Sequence, residues 1–258
     1  MTSPHGLLID DVIGALDLPP KARVDRRVPK TLLVEHGAPT AADKRRINEG
    51  IEEVRWVATV KPTTTAIPLF TDDLREYLEI AVLRVALRAE ARTERLSELI
   101  HRAVPYPVLL LAAEGTHVTL SLAHKRRSQG EAGSTVLDGE PVAASLRESK
   151  PDGPYASFRE AISLARQPHD DLYRLYQGWM DTLLALLAAR VTGRFVLASS
   201  PDQAATRREA LRECARLDTE IARLRAIAAK GKQVPKQVEM NLELKRAEAA
   251  RAAALARL

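Results

Sequence analysis

The sequence predicts an α+β protein: a small mixed sheet, built on a β-α-β-β unit and packed by helices, followed by a C-terminal antiparallel helical hairpin. Three observations predict it. Apolar runs of strand length lie at residues 54–60, 80–87 and 108–112. Alternation at Val118, Leu120 and Leu122 marks a half-buried strand. Ala210, Cys214, Leu217, Ile221, Leu224 and Ala228 keep a 4-3-4-3-4 spacing, the a/d seam of paired helices.

In chain order, Leu8, Val12, Ile13 and Leu16 share one face of a short amphipathic helix that Pro19-Pro20 ends. Thr40 caps a helix running to about Glu52, with Asp43 in its first turn and Ile47 and Ile51 facing inward. Val54 to Val60 is rich in β-branched and aromatic residues and closes at Lys61-Pro62, which reads as a strand. Thr63-Thr64-Thr65 ahead of Ile67-Pro68 is expected to be extended, because residues before proline disfavour the α region. Ile80 to Leu87 is a second strand. Thr93 caps the next helix, which carries Leu96, Leu99 and Ile100. Pro105 and Pro107 force an extended entry into Val108–Ala112, an apolar run long enough to be buried on both faces.

Glycine and proline crowd residues 128–155, which read as an irregular crossing with short strands at 135–137 and 142–143. Helices resume at 158–164 and 170–189. The second carries Leu172, Leu175, Tyr176, Trp179, Leu183, Leu186 and Leu187 as a stripe to bury against the sheet, and stops at Thr192-Gly193. Lys230 to Pro235 breaks the last helical stretch, and Met240, Leu244, Ala247, Ala254 and Leu258 line the helix after it. So short a break between two helices implies an antiparallel hairpin. The organisation is thus an N-terminal helix and lead-in (1–27), an α/β body (28–200) and a basic hairpin (201–258).

Of the 258 residues 45% are hydrophobic and only 4% aromatic, so the core is aliphatic. One cysteine excludes an internal disulfide framework and fits a reducing compartment. No stretch approaches the roughly 20 apolar residues of a membrane span. The run Gly6 to Ile9 is interrupted by Asp10 and Asp11 and fails as a signal-peptide core. A cytoplasmic location is expected. The net charge is +5, yet residues 203–258 alone carry +6 and the remainder −1. A basic appendage on a near-neutral body suits an acidic partner, protein or nucleic acid.

No catalytic centre stands out. The six histidines form no His-x-x-x-His pair. His169-Asp170 resembles the core pair of a metal-dependent phosphohydrolase, but Asp170 and Asp171 serve more simply as first-turn acids of a helix. Gly231-Lys232 lacks the rest of a phosphate loop, and no Gly-x-Ser-x-Gly elbow exists. Cys214 sits on the helical seam as a small hydrophobe. No cofactor and no metal are implied. The basic candidates for contact with nucleic acid or a partner are Lys125, Arg126 and Arg127 at a strand end. On the hairpin they are Arg207, Arg208, Arg212, Arg216, Arg223, Lys230, Lys232 and Lys236, with Asn241.

Several ordered pieces carry a family resemblance. They are Gly37-Ala38-Pro39-Thr40 with Ala42-Asp43-Lys44-Arg45; Ile51 to Trp56; Lys61-Pro62-Thr63-Thr64 with Ile67-Pro68; Ala103-Val104-Pro105-Tyr106-Pro107-Val108; His124-Lys125; and Lys232-Gln233 with Val238 to Lys245. In order and spacing the sequence resembles the bacterial family DUF4391, from about Val28 to Lys245. The resemblance implies a neighbourhood of helicases and DNA methyltransferases in restriction-like, phage-defence loci, and it supplies no catalytic residues.

The expected function is therefore an accessory, non-catalytic subunit of a DNA-targeting system, which docks a helicase or DNA methyltransferase and whose basic hairpin contacts that partner or DNA. Two alternatives stand beside it. One is a metal-dependent nuclease of degenerate motif using Glu79, Asp72 and Asp73; the other is a structural protein that homodimerises through the hairpin.

Overall fold

The computed structural model describes residues 4–130, 133–146, 153–230 and 234–258. The chain divides into two compact units, residues 1–183 and 184–258. In the first, helix α1 (Pro4–Ala15) leads to strand β1 (Arg23–Arg27), α2 (Lys30–Gly37), α3 (Ala41–Gly50), β2 (Ile51–Val60) and the single turn α4 (Pro62–Thr65). A small ribbon, β3 (Phe70–Thr71) and β4 (Glu76–Tyr77), precedes β5 (Ile80–Leu87), α5 (Thr93–Ala103), β6 (Val108–Glu114) and β7 (His117–Leu122). A second ribbon, β8 (Lys125–Arg127) and β9 (Thr135–Leu137), is followed by β10 (Val142–Leu146) and α6 (Pro154–Ala161). Helix α7 (Leu172–Thr192) runs across the division. The second unit contains α8 (Pro201–Lys230) and α9 (Val234–Leu255).

The main sheet has the order β1-β2-β5-β6-β7-β10. Among the described residues only β5 and β6 pair in parallel, and α5 makes the crossover that parallel neighbours require. The expected β-α-β-β unit is thus β5-α5-β6-β7, within a mixed sheet. One face of the sheet, including Leu83, Val85, Leu110 and Ala112, buries against Leu33 of α2, Ile47 of α3 and Leu96, Leu99 and Ile100 of α5. On the opposite face α1 lies against β6 and β7, with Ile9, Val12 and Leu16 buried. Covered on both sides, β5 and β6 read as unbroken apolar runs.

Thr40 accepts from Asp43 N at 3.1 Å, as an N-cap should. Asp43 does more than complement the dipole. Its carboxylate, 2 % exposed, takes Arg95 Nη2 at 2.8 Å and so ties α3 to α5. Hydrogen bonds from Arg95 first, then Thr40 and Arg46, outweigh burial and hold its carboxyl well below the usual range.

Three expectations are corrected. Thr63–Thr65 is a helical turn: Pro62 stands at its first position, and Thr64 Oγ1 accepts from Lys61 N and donates to Thr59 O. The proline rule reaches back only to Ile67, and Ala66 makes the change of direction at φ 61°. Thr93 does not cap α5; it is the first helical residue, and its hydroxyl donates to Glu114 Oε2 at 2.6 Å. Asp170 and Asp171 precede α7, where Asp171 Oδ1 accepts from Arg174 N at 2.8 Å. β1 and α2 answer to no sequence signal noted above.

In the second unit Gly193, at φ 76°, ends α7, and Ser200 Oγ accepts from Gln203 N at the start of α8. Arg225 pairs with Glu248 and Asp218 with Arg251. Numbers rise on α8 as they fall on α9, so the hairpin is antiparallel. Leu217, Ile221, Leu224 and Ala247 form its buried seam, with Met240 and Leu244 packed on it. Gly231, Lys232 and Gln233 lie outside the described residues. No helix among the described residues is long and apolar enough to cross a membrane.

Candidate functional site

Of the basic residues singled out at the end of β7, Lys125 is 2 % exposed. Its ammonium donates to Val104 O at the C-terminus of α5, and burial lowers its pKa to about 8. A lysine so placed caps a helix and presents nothing to a phosphate, which corrects that expectation. Arg127 Nη1 donates to Asp72 O at 3.0 Å and Nη2 pairs with Glu76 at 3.2 Å, binding β8 to the β3–β4 ribbon. Arg126 is half-buried, and its Nη1 lies 3.4 Å from Arg127 O.

On the hairpin, Arg216 pairs with Glu213 at 2.7 Å and Arg223 with Glu220 at 2.7 Å. Such exposed pairs stabilise by about 0–1 kcal/mol each, but they cancel charge along what reads from the sequence as a row of cations. Arg207 is buried and donates to Val196 O at 2.7 Å. Arg208 is half-buried, Arg212 and Asn241 are exposed, and the side chains of Lys230, Lys232 and Lys236 lie outside the described residues.

The acids of the nuclease alternative do not meet as ligands. Asp72 Oδ1 accepts from Leu74 N at 2.8 Å and from Arg75 N at 2.5 Å, closing a turn. Glu79 is hydrogen-bonded to Tyr106, whose hydroxyl pKa is raised by burial and by that carboxylate. Among the described residues no three His, Cys, Asp or Glu side chains converge on a metal position.

A polar chain, buried at Tyr77 and His124 and half-buried at its far end, lies where β4, β7, β8 and α7 meet and was not foreseen from the sequence. Tyr77 Oη is 2.5 Å from His124 Nδ1, His124 Nε2 is 2.9 Å from Gln177 Oε1, and Gln177 Nε2 donates to Asp181 at 2.8 Å. Burial pushes the Tyr77 hydroxyl far above its ordinary pKa, so it donates. His124 must then accept at Nδ1 and donate from Nε2, one consistent polarity along the chain. Beside it, Tyr176 Oη donates to Val108 O at 2.7 Å and accepts from Ala123 N at 2.8 Å. That single hydroxyl joins the start of β6 to the end of β7. Tyr173 stacks on Phe70 at 4.9 Å, and Arg75 lies 5.4 Å over its ring. The cluster holds no paired nucleophile and base; it fastens α7 to the sheet. Helical spacing marks Tyr176 on α7 but says nothing of its partners on other elements.

A groove of about 930 Å³ opens between the C-terminal ends of α2 and α5 and the β8–β9 ribbon, lined by Glu35, His36, Arg102, Ser128, Ser134 and Thr135 among others. Its charges are mixed in sign, and Arg102 is taken by Glu98 at 2.6 Å.

A family model described as a domain of unknown function, DUF4391, matches residues 16–250. No curated protein and no solved structure matches the chain.

Proposed function

The chain belongs to the DUF4391 family, and from that premise we propose an accessory, non-catalytic subunit of a DNA-targeting, restriction-like or phage-defence system, which docks a helicase or DNA methyltransferase through its helical hairpin. The observation that carries the reading is the hairpin's own economy. Among the described residues the buried apolar side chains of a 30-residue helix and a 22-residue one are Leu217, Ile221 and Leu224 and otherwise small ones, Ala204, Ala210, Cys214, Ala247 and Ala254. Ile227 at 43 % and Leu242 at 53 % exposure stay in solvent. Four arginines are matched with acids of the same hairpin. Exposed apolar side chains beside ion-paired arginines suit a protein surface better than a phosphate backbone.

Co-expression of the chain with the proteins encoded beside its gene tests this, a helicase or a DNA methyltransferase being expected among them. The chain is expected to co-purify with one of them, and the double variant Ile227→Glu/Leu242→Glu to lose it while its own melting curve is unchanged. If the wild-type chain elutes free of them all, the reading fails.

A further inference from the structure

Near-neutrality of the body conceals a local excess. Residues 21–30 hold Lys21, Arg23, Arg26, Arg27 and Lys30 against one acid, Asp25. They make up β1 and its flanks, and β1 is an outer strand of the main sheet, paired among the described residues with β2 alone. Every residue of β1 is exposed. Two nearby acids, Asp25 and Glu53, are already committed to Arg55 of β2, at 2.9 Å and 3.2 Å. Lys30 is also committed, to Asn48 O and Ile51 O. Lys21, Arg23, Arg26 and Arg27 carry no ion pair among the described residues.

Register arranges these cations along the strand. Arg23 stands opposite Ala58 and Arg27 opposite Arg55, on one face; Arg26 stands opposite Trp56, on the other. A bulge between Arg23 and Arg26, with Asp25 at φ 46°, separates the two sets. The strand edge is therefore flanked by arginine on both sides.

Edge strands are commonly guarded by a charge or a bulge against pairing with another chain. Here the bulge already serves that end, and the arginines exceed the need. We propose that the β1 edge, through Lys21, Arg23, Arg26 and Arg27, is a binding surface for the phosphate backbone of a nucleic acid. It rests on the reading above only in taking a DNA-targeting assembly as its setting; the contact it names is on the body and not on the hairpin. Phosphate recognition asks for a row of exposed cations and no base readers, and arginine's planar fork meets two phosphate oxygens at once. Binding is therefore indifferent to sequence.

Fluorescence anisotropy of the full chain with labelled duplex DNA and with the corresponding single strand, at several salt concentrations, tests the surface. Four phosphate contacts predict a slope of about −3 to −4 for log affinity against log salt, or roughly a hundredfold loss between about 50 and 200 mM. In Arg23→Gln/Arg26→Gln/Arg27→Gln the slope should fall to about −1, with affinity at low salt down by tenfold or more. Glutamine keeps the edge polar, and thermal melting checks that the variant folds. The hairpin double variant should bind DNA as the wild type does, and the β1 variant should keep its protein partner. The proposal is overturned if the wild type binds neither nucleic acid, if the glutamine variant binds with undiminished affinity and slope, or if only vesicles of anionic lipid are bound.

Discussion

His101 is wholly buried on α5, with Nε2 2.9 Å from Ser121 Oγ of β7 and Nδ1 without a partner among the described residues. Burial first, and the Lys125 cation on β8 second, bring its pKa from 6.5 down to about 3. Between those values the unfolded chain binds the proton and the folded chain does not. The imidazole's contribution to stability is therefore whole above pH 6.5 and is lost as pH falls toward 3, by at most about 4–5 kcal/mol. His101→Gln keeps a hydrogen-bonding group for Ser121 and does not titrate. Urea midpoints at about pH 7 and about pH 4.5 should drop less in the variant than in the wild type, although the variant starts lower at neutral pH. Equal drops would mean that His101 is protonated in the folded chain. Neither His101 nor the chain from Tyr77 to Asp181 was legible from spacing. Tyr77 and His124 lie 47 residues apart, and His124 and Gln177 lie 53 apart. Periodicity speaks only to neighbours on one element.

Element by element, legibility followed apolar pattern. Strands β2, β5 and β6 declared themselves as continuous apolar, β-branched runs, β7 by alternation, and helix α8 by burial at helix period. β1 lacks such a pattern, since all its residues are exposed and its pairing comes from backbone hydrogen bonds to β2. α2 buries only Leu33 and Gly37, too little to set a period. Gly37, part of the Gly37-Ala38-Pro39-Thr40 motif, now has a physical reason. A Cβ there would stand 2.6 Å from Leu99 O and 2.6 Å from Ala103 Cβ, so α2 meets α5 almost backbone to backbone. Gly37→Ala should push the helices apart and cost about 1–3 kcal/mol, read as a lower urea midpoint with unchanged slope. An unchanged midpoint would show that α2 moves aside freely and that the glycine is not needed for packing.

For the whole molecule, the two units differ in how much apolar surface holds them. The sheet core gathers Leu33, Ile47, Leu83, Val85, Leu96, Leu99, Ile100 and Leu110 with others around β5 and β6. The hairpin offers three large buried side chains, Leu217, Ile221 and Leu224, beside small ones, Ala210, Cys214, Ala247 and Ala254, helped by Met240 and Leu244. Burial contributes about 25 cal/mol per Å² of apolar area, so the hairpin opens at a smaller free energy than the sheet. Its ion pairs do not close the gap, because exposed pairs stabilise by a few tenths of a kcal/mol and weaken with salt. In the isolated chain, amides of α8 and α9 around the seam should exchange roughly a hundredfold or more faster than those of Ile80–Leu87 and Val108–Ala112. A partner that covers Ile227 and Leu242 binds only the closed hairpin, and must slow exchange there while leaving the sheet amides as they were. Duplex DNA on the β1 edge should leave hairpin exchange unchanged. Hydrogen exchange followed by mass spectrometry separates these cases. Hairpin amides as slow as those of β5 in the free chain would mean that the thin seam suffices by itself, and the need for a docking partner would lose its physical ground.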